Sequence, residues 1–316
     1  PAPVVMPKPT MGKLIGVNAF IDDPQQMISN SAGTLREYHS WQWDEGNTDA
    51  SYPGYPNNQY AFSPSWAGNW DFDQYYTNLH NMGVTVAPCL QTSATWMRNG
   101  RSKDSKPIPV GLSADDPLSY AAHSDWMFQF AARYGRTTVS SGKLKLKSNQ
   151  SARSGLGVVE YMENWNEPDK WWRGRDGYFT PFEFAAMCSA DMDGHEGALG
   201  ANKGMKAADP TMKMIMGGLA LLDLNYIDGM RLWSEYNRTT GFPADVLNFH
   251  HYSNDAGGQA GKATKGISPE DDDLKGKLKA LVAYRDKHLP GKEIWLSEFG
   301  YDTNINSVQG VRPTAG

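Results

Sequence analysis

The sequence predicts an α/β fold, a parallel barrel of repeated βα units, and three observations carry that expectation. Short apolar runs alternate with longer amphipathic ones from about residue 13 onward, the pattern of strand followed by helix. Two of those runs end on a glutamate, at Asn166-Glu167-Pro168 and at Glu298-Phe299-Gly300. Long segments follow the strands, as they do where a barrel builds the rim of a binding site.

Taken in order, strands are expected at 14–18, 35–39, 84–90, 158–165, 212–219, 246–251 and 294–299. Helices are expected at 72–82, 118–134, 181–189, 225–237 and 274–288. The third of these is the best marked, because Thr180 and Glu183 form a capping box around Pro181 at the first helical position. Rim loops run over 41–71 after the second strand and 92–117 after the third. A basic, Ser/Gly-rich insertion at 137–156 alternates Lys143, Lys145 and Lys147 with leucines and reads as an exposed hairpin or loop on the opposite face. Residues 301–316 are polar and turn-rich, with no eighth apolar run. The expectation is therefore a TIM (β/α)8 barrel truncated after its seventh strand. Its two open edges would be closed by a missing segment, by a second chain or by the tail itself, since unpaired barrel edges are not stable alone. Residues 1–12 read as a Pro-rich tether and 13–316 as one catalytic barrel.

Composition narrows the function. A net charge of −5, with no basic run interleaved with aromatics, argues against a nucleic-acid partner. No apolar window of about 18 residues is present, so membrane insertion is not expected. The Pro-rich start lacks the regions of a signal peptide, and such a tether fits an exported enzyme, secreted or periplasmic. Cys89 and Cys188 read as buried thiols. No metal and no cofactor are expected. His250 and His251 are adjacent on a strand and point to opposite faces, and neither has a partner at metal-motif spacing. The acidic run from Glu270 to Asp273 suits a first helical turn, and Gly217-Gly218 lacks the lysine or third glycine of a nucleotide loop. The 11 Trp and 15 Tyr, many in Gly/Pro/Asn-rich stretches, suggest loop aromatics that stack on sugars. Trp41, Trp43, Trp66 and Trp70 crowd one segment, and Trp41, Trp43, Trp96 and Trp171 are the candidate stacking residues.

Glu167 and Glu298 are the catalytic candidates. Proline has no N–H for a ladder, so the strand stops at Asn166-Glu167-Pro168 and leaves the acid at its C-terminal end, where parallel barrels hold their chemistry. Retaining cleavage of a glycosidic bond needs one carboxyl group that releases a proton and a second, about 5 Å away, that attacks the anomeric carbon. Carboxylates at the ends of two different strands can meet across a barrel mouth in that way. Glu160 and Glu163, on the same strand as Glu167, are expected to pair within the barrel or face a helix.

These motifs resemble the signature of glycoside hydrolase clan A, the retaining (β/α)8-barrel hydrolases of β-linked poly- and oligosaccharides. The fourth-strand motif is similar to family 39 and Ser297-Glu298-Phe299-Gly300 to family 5. The resemblance implies that Glu167 is the acid/base, Glu298 the nucleophile, and Asn166 a hydrogen-bond partner of the sugar 2-hydroxyl. It further implies that Arg36, in Thr34-Leu35-Arg36-Glu37-Tyr38-His39, holds the nucleophile ionised. In His250-His251-Tyr252, Tyr252 would donate to Glu298 and His250 would line the sugar site. The clan often places a stacking tryptophan on the eighth strand, which has no counterpart here. A non-catalytic carbohydrate-binding protein of the same fold is the alternative.

Overall fold

The computed structural model describes residues 10–46, 59–253 and 267–300. Among these residues seven strands form one sheet in chain order, all parallel. They are β1 (Gly16–Asn18), β2 (Thr34–Ser40), β3 (Thr85–Gln91), β4 (Tyr161–Asn166), β5 (Lys213–Gly218), β6 (Val246–His251) and β7 (Glu293–Phe299). A helix of seven or more residues lies between each consecutive pair: α1 (Gln25–Ser31), α2 (Phe72–Asn81), α3 (Ala121–Tyr134), α4 (Pro181–Asp193), α5 (Leu224–Asn237) and α6 (Leu274–His288).

The expected strands and the five expected helices are found, with ends moved by a few residues. Leu14 belongs to a helical turn, Met11–Leu14, so β1 is shorter than expected. α1 was not expected, because it buries only Ile28 and offers almost no apolar periodicity. Thr180 and Glu183 close both halves of the capping box on α4. Asp273 caps α6, while Asp272 in the same acidic run takes hydrogen bonds from His251 and Lys277.

The insertion at 137–156 holds no buried residue, yet it is anchored to the rest of the barrel. Tyr60 donates to the Lys145 carbonyl and accepts from the Lys147 amide, which ties the segment to the loop after β2, and Leu144, Leu146 and Leu156 pack on the core. The Lys/Leu alternation is the period of an extended chain that turns one face inward.

Parallel pairing alone would allow a flat sheet, but inward side chains from β2, β4, β6 and β7 touch one another, so the sheet is curled into a barrel. At its base Ala87, Ile215 and Val246 pack against Tyr161 and Trp295 as an apolar plug. Above that plug the interior is polar. The two large clusters of the apolar core lie outside the strands, one under α2 and α3 and the other under α4 and α5. Among the described residues β1 and β7 share no ladder, and the Asn18 side chain reaches the Ser297 carbonyl at 3.5 Å. Whatever pairs with their free edges, the expected tail included, lies outside the described residues. No helix among those residues is long and apolar enough to cross a membrane.

Candidate active site

Glu167 is held where a side chain at the end of β4 meets the mouth. Its amide bonds the Gly218 carbonyl at 3.0 Å, the Lys170 ammonium bonds the Asn166 carbonyl at 3.0 Å, and Asp169 accepts from the Ala220 amide at 2.9 Å. The backbone there is strained: Trp165 and Glu167 have φ of 79° and 48°, in a region that costs a side-chain-bearing residue about 1–3 kcal/mol. Close approach explains the two glycines of β5. A Cβ on Gly217 would sit 2.7 Å from the carbonyl oxygens of Asn164 and Trp165, and one on Gly218 would sit 2.2 Å from the His250 ring.

Glu298 faces Glu167 across the mouth. Arg36 donates to its Oε1 at 2.7 Å, Tyr38 donates to the same oxygen, and Tyr252 donates to Oε2 at 3.0 Å. Burial alone would raise its carboxyl, but the Arg36 guanidinium and the two tyrosine hydroxyls work against burial, and the carboxyl is held below the usual carboxylate range. Burial, reinforced by Glu298, pushes the Tyr38 and Tyr252 phenols up, so both stay protonated donors.

Arg36 is the hub. Its guanidinium also makes a two-pronged pair with Glu163 at 2.5 and 2.9 Å and reaches the Asn166 side-chain oxygen at 2.8 Å. Glu163 in turn accepts from the Gly218 amide at 3.1 Å and from Asn248 at 3.0 Å. Glu160 lies outside the barrel beside Arg136.

The structure brings together Glu167, Glu298, Asn166, Arg36, His250 and Tyr252, and it alters some expected placements. His250 does not line the surface of the mouth. The alternation along β6 turns its ring inward with Asn248, and it is fully buried, 3.0 Å from Glu167 and 3.2 Å from Ser297, the residue that the β6–β7 register shift adds on β7. His251 points to the outside, as the alternation requires. Trp41 is fully buried, stacked on Trp126 with ring centroids 5.5 Å apart and bonded to Glu45, so it cannot present a face to a sugar. Trp43 packs on Trp70 and Phe72, and Trp96 meets the edge of Trp41. Of the tryptophan crowd Trp41 is core, while Trp43, Trp66 and Trp70 are half-buried, Trp43 and Trp70 against that core. Trp171 stays about half exposed, in an edge-to-face pair with Trp172.

Tyr38, Asn248 and Ser297 also belong to the site and were not singled out from the sequence, and Glu163 pairs within the barrel as expected. Tyr38 was findable, since it lies two residues from Arg36 on the same face of β2.

Glu167, His250 and Glu298 offer ligand atoms within 4.8 Å of one another, close enough to enclose a cation. The spacing of the two histidines could not show this, because the partners come from other strands. Chemically the trio is poorly suited to a metal: Glu298 already takes three donors, one of them a guanidinium that repels a dication.

No protein-family model matches the chain, and no curated protein matches it by sequence. Among solved structures it is similar to an endo-β-1,4-mannanase from Thermotoga petrophila, with TM-score 0.50 and 12% identity, covering 92% of this chain and 61% of that one. A hyperthermostable endo-1,4-β-D-mannanase from Thermotoga petrophila RKU-1 gives 0.48 and 13% over 91% and 79%. A family 39 glycoside hydrolase from Bacteroides cellulosilyticus WH2 gives 0.43 and 14% over 90% and 47%. At such identity the first of these likenesses bears on fold alone, and the fold it shows is an α/β barrel.

Proposed function

We propose that the protein is a retaining glycoside hydrolase acting on β-linked poly- or oligosaccharide, with Glu167 as acid/base and Glu298 as nucleophile. One observation carries the reading: oxygens of the two carboxyl groups lie within 4.8 Å of each other, the short separation that suits direct attack rather than an intervening water. Their surroundings divide the roles. Glu298, beside Arg36 and two phenols, is kept as the anion. Glu167 carries the proton that the leaving oxygen needs.

In the first step a Glu298 oxygen attacks the anomeric carbon while Glu167 protonates the glycosidic oxygen, and a glycosyl ester forms as the sugar–oxygen bond breaks. Oε2 is the better nucleophile, since Oε1 receives both Arg36 and Tyr38. In the second step Glu167 takes a proton from water, which attacks the same carbon and releases Glu298. Asn166 gives its side-chain oxygen to Arg36, so its amide N–H groups are left for the sugar 2-hydroxyl. Trp171 and Trp172, four and five residues beyond Glu167, supply the exposed aromatic faces for the leaving-group sugar. A secreted or periplasmic polysaccharide-degrading role follows from this reading.

The test is a panel of aryl β-glycosides with β-glucan, β-mannan and β-xylan, following reducing ends and, by NMR, the anomer first released. Release of the β-anomer is expected. Binding without release would favour the carbohydrate-binding alternative, and first release of the α-anomer would rule out retention.

A further inference from the structure

Inside the barrel the two glutamates are joined by one continuous hydrogen-bonded chain. It runs from Glu167 through His250, Ser297, Asn248, Glu163 and Arg36 to Glu298, at 3.0, 3.2, 2.8, 3.0, 2.5 and 2.7 Å. The directions of these bonds are not free. The Asn248 amide is fixed from two sides: its nitrogen faces the Glu163 carboxylate, which only accepts, and its oxygen faces the Ser297 backbone N–H at 3.2 Å, which only donates. Turning the amide over would set acceptor against acceptor and donor against donor. One hydrogen of its nitrogen goes to Glu163 and the other to Ser297 Oγ.

Ser297 Oγ is therefore an acceptor from Asn248, and its own hydrogen must find another acceptor. The nearest is His250 Nε2. That nitrogen then carries no hydrogen, and the imidazole proton lies on Nδ1, which faces Glu167 Oε1.

We propose that Asn248 and Ser297 are positioning residues that set His250 as the neutral Nδ1–H tautomer, so that His250 donates to Glu167 Oε1 and the catalytic proton of Glu167 is confined to Oε2. The β6–β7 register shift is what makes this chain, because it brings His250 opposite Glu298 and leaves Ser297 beside the ring. Gly218 leaves room for the ring to lie there. The consequence for Glu167 rests on the hydrolase reading, whereas the tautomer does not.

Long-range ¹H–¹⁵N correlation of uniformly labelled protein reads the tautomer without turnover, with the His250 signals assigned by their loss in His250→Gln. A pyrrole-type Nδ1 and a pyridine-type Nε2 are expected. The opposite pattern, or a doubly protonated ring, overturns the proposal. Ser297→Ala should release the ring into a mixture of tautomers, and Ser297→Thr, which keeps the hydroxyl, should restore the single one. An unchanged spectrum in Ser297→Ala removes Ser297 from the relay. In the same variant kcat/KM should fall about tenfold further for alkyl β-glycosides, which need protonation, than for dinitrophenyl β-glycosides, which do not. A merely structural loss would lower both alike. A wild-type protein that shows the tautomer yet hydrolyses no glycoside would sink the hydrolase reading and leave this one standing.

Discussion

The two faces of β2 carry two buried charge networks, and only one of them opens to solvent. On the inner face Arg36 and Tyr38 converge on Glu298, whose side chain is 12% exposed, across from Glu167 at 21%. On the outer face, Glu37 accepts from Tyr76 at 2.6 Å, and His39 bonds Asp44 at 2.8 Å. Asp44 accepts from Trp126 at 2.8 Å, and aromatic rings, Phe72 and Phe130 among them, enclose the imidazole. Both networks hold carboxylates beside cations, and both perturb ionisation. What separates them is access. The outer network meets nothing but protein, so it can fix how α2 and α3 sit on the strand and do no more. The inner one ends on two carboxyl groups that face the mouth.

The sharpest way to break the comparison is at the carboxylates. Glu298→Ala should lower turnover roughly ten-thousandfold or more, and azide should restore it by giving the glycosyl azide of inverted configuration. Glu167→Ala should lose about a hundredfold to ten-thousandfold on substrates with poor leaving groups, far less on dinitrophenyl β-glycosides, and azide should there give the retained anomer. Azide products of the opposite configurations in the two variants would mean that the roles are exchanged.

Much of this site was legible because strand ends are chemically marked. Proline fixed where β4 must stop, so Glu167 could be placed at the mouth from the sequence, and the expected sixth strand is the observed one, Val246–His251. The depth of each residue was not legible. Ser297 and Glu298 both reach His250 because of a register shift on β7, and nothing in a string of residues shows which partner strand gains a position. The pairing of Glu163 and Asn248 depends on how far strands slide past one another on closing the barrel. Trp41 misled for another reason: an aromatic crowd in a long loop has the same composition whether it covers a core or meets a ligand.

On the outer face the expected effect is on stability rather than chemistry. His39→Leu leaves Asp44 and Glu37 buried without their cation, which should cost about 3–5 kcal/mol in urea denaturation while kcat/KM of the folded fraction stays near wild type. Burial opposes the charge on His39, but Asp44 and Glu37 outweigh it and carry the imidazole up to about 10. The sign follows. Its folded value lies above the ordinary 6.5, so its stabilisation is fully present below about pH 6.5 and is lost as pH rises through about 10. A wild-type stability that is flat across that window would show that His39 is not charged.

Asp169 gives the smallest effect and separates the two kinds of network most finely. Burial pushes its carboxyl up from 3.8 to about 6, although the Ala220 amide hydrogen bond works against that rise. As with His39, stability falls as pH rises through the window, here from about 3.8 to about 6, but the cause is different. His39 is held charged by partners, whereas Asp169 is charged against its surroundings, with Glu167 nearby as a second anion. Asp169→Asn keeps an oxygen for the Ala220 amide and removes the charge. The variant should therefore be more stable than wild type by about 2–3 kcal/mol near pH 8, with the gap closing below about pH 4. Urea denaturation at the two pH values measures it. A gap of equal size at both would mean that the charge on Asp169 costs nothing, and that burial at the inner end of the mouth is as well compensated as it is around His39.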